Sequence, residues 1–374
     1  MMTRLLIFHP TVAPYRIDFF NDLSEAFRTR ICLRYWNLRD QTFDYQHIYA
    51  RFRFKPHYLK EALRLRGGRS FSVGYWKQLE DFRPDVVLTE EFGLGTWMVL
   101  LHRFLRRRKY KVVTLCDDSF NMVAEANDFS RIHRWSRRMV TPWIDNLIVV
   151  EPKVEDWYRT RYGKGFCFPI IQDEDRMRSQ YAKVVERSRE LQTRYALKGK
   201  RVFLFVGRLV ALKNVETIIR AFARMNPQEN ALVIVGDGPE KDKLMHLSDA
   251  LNVQALFVGR QEGDALKAWY VLADVFVLAS VQEAFGAVTN EALLAGCMAL
   301  VSRKAGSSSL IEEGMNGFTF EPTDVETLAR LMQNVSAMIG KREDVCLKPN
   351  RMSVSYRECM DKLVRFLASS ASHQ

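Results

Sequence analysis

The chain has 374 residues, 47% hydrophobic and 27% charged, and a formal net charge of +12. That balance excludes a disordered chain and supplies apolar side chains for two cores, the number expected at roughly 100–200 residues per domain. The six dispersed cysteines (Cys32, Cys116, Cys167, Cys297, Cys346 and Cys359) contain no CxxC pair, which argues against a zinc ribbon or disulfide framework, and no apolar run approaches the roughly 18–20 residues of a spanning helix.

In chain order, "RLLIF" (4–8) is a predicted strand and 16–28 a predicted helix. The N-terminal apolar run is too short for a signal peptide and meets His9-Pro10 early, so the expected location is cytoplasmic. Residues 51–77 carry Arg51, Arg53, Lys55, Lys60, Arg64, Arg66, Arg69 and Lys77 against Glu61 alone, interleaved with Phe52, Phe54, Tyr58, Phe71, Tyr75 and Trp76. "FLRRRKYK" (104–111) is basic without an acid. Such stretches bind nucleic acid, lie on an anionic membrane leaflet, or form a solvated basic face; no nucleic-acid motif is present to favour the first. "DVVLT" (85–89), "KVVTLC" (111–116) and "NLIVV" (146–150) are further strands, with a helix predicted at 97–108. Continuous apolar strands without alternation predict a parallel sheet covered on both faces.

A hinge is expected near 168–172, before the charged, helix-prone 173–200. A second strand–helix series then starts at "RVFLFVG" (201–207), with a helix at 214–226 and strands at 231–236, 255–259, 275–280 and 298–302. The amphipathic 353–370 needs a surface to pack on and is a candidate to return to the first domain. The expected domains are 1–170 on the acceptor side, 171–350 for the donor, and a terminal helix in 351–374. Two doubly wound domains would face a ligand cleft at the carboxyl ends of their strands.

Several strand-to-helix turns carry candidate chemistry. In "VGRLVALKN", Gly207, Arg208 and Lys213 precede a helix, which suits a diphosphate; two surface cations are the plain alternative. "VIVGDGPEKDKL" places Gly236 and Gly238 in a tight turn, with Asp237 or Pro239 expected to start the helix. "FVGRQEG" places Gly259 and Arg260 after a strand. In "EAFGAVTNEALLAG" (283–296), Glu283 and Glu291 are an acid/base pair, two hydrogen-bond acceptors for one ligand, or two surface charges. Asp173-Glu174-Asp175 reads as a helix start rather than a metal motif.

The ordered run "FVGRLVALKNVETIIRAF", "LVIVGDGPEKDKL", "LFVGR", "DVFVLASVQEAFGAVTNEALLAG" and "SRKAGSSSLIEEGMNGFTFEP", over 201–330, resembles the donor domain of retaining glycosyltransferases of family 4, the group 1 glycosyltransferases with the GT-B fold. The E-x7-E element is that family's signature. The resemblance implies a metal-independent transferase without a cofactor, moving a sugar from a nucleotide-diphosphate sugar to a glycan or lipid-linked glycan, as in bacterial surface-polysaccharide synthesis. A nucleotide-sugar epimerase or hydrolase of the same fold is the alternative. Arg208 and Lys213 would hold the diphosphate, Glu291 the ribose hydroxyls and Glu283 the transferred sugar. Amides around Ala284, Phe285, Gly286 and Ala287 would face sugar and phosphate, and Gly236 and Gly259-Arg260 would flank the base. The N-terminal half resembles the family less. "HPTVAPYRIDFF" stands where many relatives have a glycine pair, and Tyr15 and Arg16 are candidates for acceptor or phosphate contact or simply for helix-start packing. Where relatives carry a histidine after a strand, this chain has Cys116-Asp117-Asp118, so Asp117 or Asp118 is a candidate substitute or a helix cap; Glu90 and Glu91 are equally ambiguous. The implied partners are a nucleotide sugar, its acceptor and an anionic membrane surface met peripherally on the inner face of the plasma membrane, with no nucleic acid.

Overall fold

The structure, a computed structural model, describes residues 2–35, 45–64, 70–124, 130–340 and 344–372. Arg66 and Arg69 of the basic stretch lie outside the described residues. The chain divides into two compact units, Met1–Ile171 with Tyr356–Gln374, and Gln172–Ser355.

The first unit holds β1 (Arg4–His9), β2 (Arg28–Leu33), β3 (His57–Tyr58), β4 (Lys60–Arg64), β5 (Ser70–Val73), β6 (Val86–Glu90), β7 (Lys111–Cys116), β8 (Asn146–Val149) and β9 (Phe166–Cys167). Seven form one parallel sheet in the order β3-β2-β1-β6-β7-β8-β9, and β4 and β5 form a separate antiparallel hairpin. The interiors of β1, β6, β7 and β8 are buried, as apolar runs covered on both faces must be.

The strand β2 is absent from the sequence reading, which carried the preceding helix to residue 28. The helix Ile17–Ala26 stops earlier, at an extended Phe27, and all six residues of β2 pair in parallel with β1. Arg28 and Arg30 disguise the strand in "RTRICL": the Arg30 guanidinium lies 4.9 Å from the centroid of the Phe82 ring and donates to Gln78 at 3.0 Å, covering apolar surface with its stem.

The second unit holds β10 (Arg201–Val206), β11 (Asn230–Val235), β12 (Leu256–Gly259), β13 (Val275–Leu278), β14 (Met298–Ser302) and β15 (Gly317–Phe320), in the order β12-β11-β10-β13-β14-β15, all parallel. The short "GFTF" of β15 was also unread. After β11 the helix starts at Lys241, not at Asp237 or Pro239. The Leu209 amide donates to the Asp237 carbonyl at 2.9 Å and the Glu240 amide to the Leu209 carbonyl at 3.0 Å, so 237–240 is held as a loop against the turn after β10.

The charged 173–200 forms two helices, Glu174–Lys183 and Val185–Arg194. Asp173 caps the first by accepting from the Arg176 amide at 2.8 Å. The helix Tyr356–Ser372 lies in the first unit. Its Tyr356 donates to Asp22 at 2.9 Å, Phe366 stacks on Phe166, and Leu363 and Leu367 are fully buried. Leu363→Ala is expected to destabilise the first unit by about 2–5 kcal/mol, the cost of a large-to-small change in a closed core, read as a lower midpoint in denaturant unfolding.

Candidate functional site

In a doubly wound sheet, ligands bind at the carboxyl ends of the strands where the strand order reverses. In the second unit that point lies between β10 and β13. The turn after β10 runs Gly207, Arg208 and a short 3-10 helix, Ala211–Lys213, closed by Asn214 in the left-handed conformation. Asn214 anchors the turn by donating to the Pro322 carbonyl at 2.6 Å, and the Val281 amide donates to the Leu212 carbonyl at 2.9 Å, joining this loop to the one after β13. The Lys213 ammonium thereby meets the Glu283 carboxylate in an ion pair, each side chain 17% exposed. The Ser280 hydroxyl donates to the same carboxylate oxygen at 3.1 Å. Arg208 is exposed on the same loop as Lys213.

The backbone along this edge is tightly fitted. The Gly207 amide donates to Val235 at 3.0 Å and the Gly236 amide to Gly259 at 2.9 Å, so Gly207, Gly236 and Gly259 form one row across β10, β11 and β12. A Cβ on Gly236 would fall 1.8 Å from the Gly207 carbonyl oxygen. Arg260, past the row, is exposed and pairs with Glu262. On the other side of the switch point, Gly286 has φ +93° and a Cβ there would meet Leu278 at 2.9 Å. Phe285 is buried, and its carbonyl accepts from the Ser307 amide at 2.7 Å, while Ala284 and Ala287 are half-buried. Ala287 precedes the helix Val288–Leu294, whose start has no side-chain cap.

Glu291 lies in that helix, in a different setting from Glu283. The Gln172 side-chain amide donates to its Oε1 at 3.1 Å, and the Tyr181 hydroxyl donates to its backbone carbonyl at 2.9 Å. Glu283 and Glu291 therefore sit in different settings: Lys213 and Ser280 meet the first, and Gln172 is among the partners of the second.

In the first unit the order reverses between β1 and β6, where His9 and Glu90 end their strands. His9 Nε2 lies 3.7 Å from Glu90, and Arg34, just past β2, donates to Glu90 at 3.0 Å. Pro14-Tyr15-Arg16 forms a 3-10 turn in which Tyr15 is half-buried and Arg16 buried, and Arg16 pairs with Asp117. Neither Asp117 nor Asp118 caps the helix Phe120–Ala124 through its first amide; the Phe120 amide donates to Glu151 at 3.0 Å. Asp118 is 2% exposed and is held by Arg137 at 3.1 Å and by His133 Nε2 at 3.3 Å, while His133 Nδ1 lies 3.7 Å from Glu91. A histidine is thus present at the end of β7 after all, supplied by the helix Arg131–Val140. The sequence signal was the i,i+4 spacing of His133 and Arg137.

The titration of this cluster follows from burial and charge. Burial, with the Arg16 charge next, lowers His9 to about 3. Burial raises Glu90 to about 7, with Asp117 adding and Arg34 opposing. Burial and then Glu90 push Glu91 up as well. Burial would raise Asp118, but His133 and Arg137 hold it below its usual range; its hydrogen bond in turn raises His133.

Residues 188–345 match the family described as Glycosyl transferases group 1. That match covers less than half of the chain. The chain is 38% identical over 147 residues to an uncharacterized glycosyltransferase of Methanocaldococcus jannaschii, a match covering 38% of each chain. It is 36% identical over 131 residues to a GDP-mannose-dependent alpha-mannosyltransferase of Corynebacterium glutamicum, covering 35% of this chain and 30% of the relative. The chain therefore aligns with only about a third of the length of these curated relatives. Over 98% of its length it superposes on all of HepE of Anabaena, solved in complex with UDP, with a TM-score of 0.72 at 16% identity. That likeness is one of fold, and the fold is GT-B. The switch-point loops after β10 and β13 both fall inside the matched stretch.

Glu90 gives a pH prediction. Its folded value of about 7 lies above the ordinary 4.5, so the native state keeps a proton that the unfolded chain has already lost. The stability it contributes is full below pH 4.5 and is lost as pH rises through about 7. Glu90→Gln is expected to unfold with a shallower pH dependence, the gap between parent and variant changing by at most about 3 kcal/mol from pH 4.5 to 8, in thermal melts across that range.

Proposed function

We propose that the chain is a retaining, metal-independent glycosyltransferase of family 4 that moves a sugar from a nucleotide-diphosphate sugar to a hydroxyl of a glycan or lipid-linked glycan. The observation that carries this reading is the Lys213–Glu283 pair at the switch point of the second unit, with the exposed Arg208 on the same loop as Lys213. Sugar transfer builds negative charge on the departing diphosphate and positive charge at the anomeric carbon. Arg208 and Lys213 are fixed cations of the kind that stabilise such a leaving group, and they supply the charge that a metal supplies elsewhere. When the diphosphate takes Lys213, Glu283 is released to accept hydrogen bonds from the sugar. Glu291 accepts the ribose hydroxyls, exchanging them for the Gln172 amide. Amides around Ala284, Phe285, Gly286 and Ala287 face sugar and phosphate, and Gly236 and Gly259-Arg260 flank the base.

The anomeric carbon–oxygen bond to the diphosphate breaks while the acceptor oxygen bonds the same carbon on the same face. The acceptor proton passes to the departing phosphate oxygen, so no protein nucleophile is needed. Of the two adjacent aspartates that follow β7, Asp117 has a side chain 37% exposed, and it is proposed to take a sugar hydroxyl, with Tyr15 and Arg16. Asp118 is closed off by His133 and Arg137. The setting proposed is bacterial surface-polysaccharide synthesis, in the cytoplasm at the inner face of the plasma membrane.

A thermal-shift panel of nucleoside diphosphates and their sugars tests the donor site. One member at 100-fold its dissociation constant should stabilise the protein by about 2.7 kcal/mol. Lys213→Ala and Arg208→Ala should each weaken that ligand by about 1.5–3 kcal/mol, the range for a charged hydrogen bond. Variants that respond like the parent would move the site elsewhere. Product NMR should show the donor's anomeric configuration, and a chelator should leave turnover unchanged; an inverted product would refute the retaining mechanism, and conversion of the donor without acceptor would favour an epimerase or hydrolase.

A further inference from the structure

Sixteen large hydrophobic side chains are exposed among the described residues, and eight of them fall within residues 94–143. They lie on two neighbouring helices of the first unit. On the helix Leu94–Leu105, Leu94, Leu101, Phe104 and Leu105 form an outward stripe, with Phe104 76% exposed. On the helix Arg131–Val140, Ile132 (68%), Trp135 (58%) and Met139 recur at spacings of three and four, and Trp143 (64%) follows just past its end. The two helices are joined: Trp97 stacks on Trp135, its indole N–H donates to Ser136 at 2.8 Å, and the Arg103 guanidinium bonds the Trp143 carbonyl. The eight side chains therefore belong to one surface.

Among the buried residues of the second helix only Val140 is apolar. Its polar Ser136 and Arg137 are buried, and Ile132, Trp135 and Met139 face solvent. An apolar surface of this extent on a folded unit marks an interaction site. Its chemistry is cationic. Residues 94–111 and 130–143 contain no Asp or Glu, and Arg107, Lys109, Arg131 and Arg138 are exposed around the apolar side chains. A second copy seated here by twofold symmetry would set these cations against their own kind. An anionic bilayer surface matches both features: lipid phosphates take the arginines, and tryptophans sit at the headgroup boundary.

The basic and aromatic stretch 51–77 is less suited. Phe52 stacks on Phe54, Phe54 packs on Phe20, Tyr75 is buried, and the Trp76 indole donates to the Met98 carbonyl at 3.0 Å. Those aromatic side chains are engaged within the unit.

We propose that the Leu94–Leu105 and Arg131–Val140 helices, with Trp143, are the surface by which this protein docks on anionic lipid. None of the donor-site residues takes part, so docking and donor binding fail independently. The docking helix also carries, on its inward side, the His133 and Arg137 that hold Asp118. A bilayer held on this surface is thus one helix thickness from the acid cluster of the first unit.

The test is flotation of the full chain with vesicles of phosphatidylglycerol in phosphatidylethanolamine, against phosphatidylcholine alone. The parent should float at least about tenfold more with the anionic vesicles, with a blue shift in tryptophan emission and weaker binding in high salt. Arg131→Glu/Arg138→Glu should lose roughly fivefold in affinity or more for each cation removed, and Trp135→Ser/Trp143→Ser should abolish the blue shift. All four positions are exposed, and an unchanged donor-induced thermal shift shows that each variant is folded and keeps its donor site. Arg51→Glu/Lys55→Glu, in the other basic stretch, should bind vesicles like the parent. Three results would overturn the proposal: no preference for anionic vesicles, loss of binding only in the Arg51/Lys55 variant, or a parent that is a dimer in light scattering which the tryptophan variant makes monomeric without affecting vesicle binding.

Discussion

A parallel sheet covered on both faces leaves polar chemistry only at its strand ends, and both units of this chain obey that constraint. The strands β10, β11, β13 and β14 are almost wholly buried, so no side chain in their interiors is available to a ligand. What remains is the row of turns at the carboxyl edge. There the backbones approach so closely that Gly236 has the Gly207 carbonyl where a side chain would stand. The glycines let neighbouring turns nest, and nesting brings Lys213 from one loop against Glu283 from another. The ion pair is a consequence of the packing of the edge.

That pair also bears on why such a site stores binding energy rather than stability. A half-buried lysine and carboxylate have each lost part of their hydration, and their mutual attraction roughly offsets that loss. Removing either alone would leave the other under-solvated, whereas under the proposed function an incoming diphosphate would offer Lys213 a more highly charged acceptor. The Ser280 hydroxyl also donates to Glu283, so the carboxylate would keep a donor if the lysine took another partner. The resting pair is compatible with a site that exchanges partners on binding, and it keeps both side chains oriented before the ligand arrives.

The strands legible in the sequence were the ones with uninterrupted apolar runs, because burial on both faces writes itself as composition. "KVVTLC" and "MALVS" coincide with β7 and β14 residue for residue. "RTRICL" was not legible, because an arginine that lies along an aromatic ring has the same letter as one in water. In the site, the order of the glycine turns and of the E-x7-E element was plain. The contact between Lys213 and Glu283 was not, because 70 residues separate them and only the sheet order brings them together. Searching strand ends for a histidine also missed His133, which reaches the end of β7 from a helix.

The helix Arg131–Val140 shows why single-residue reading fails at such places. Taken alone, "RIHRWSRRMV" is a basic segment with scattered apolar residues. In the fold, its inward side neutralises a buried aspartate with a histidine and an arginine, and its outward side presents isoleucine, tryptophan and methionine to solvent. A charged residue is tolerated inside only where a partner of opposite sign is fixed beside it, and Asp118 meets that condition through this helix. On the outward side Ile132, Trp135 and Met139 share the surface with the exposed Arg131 and Arg138. One helix thus serves both the acid beyond β7 and the exposed apolar surface.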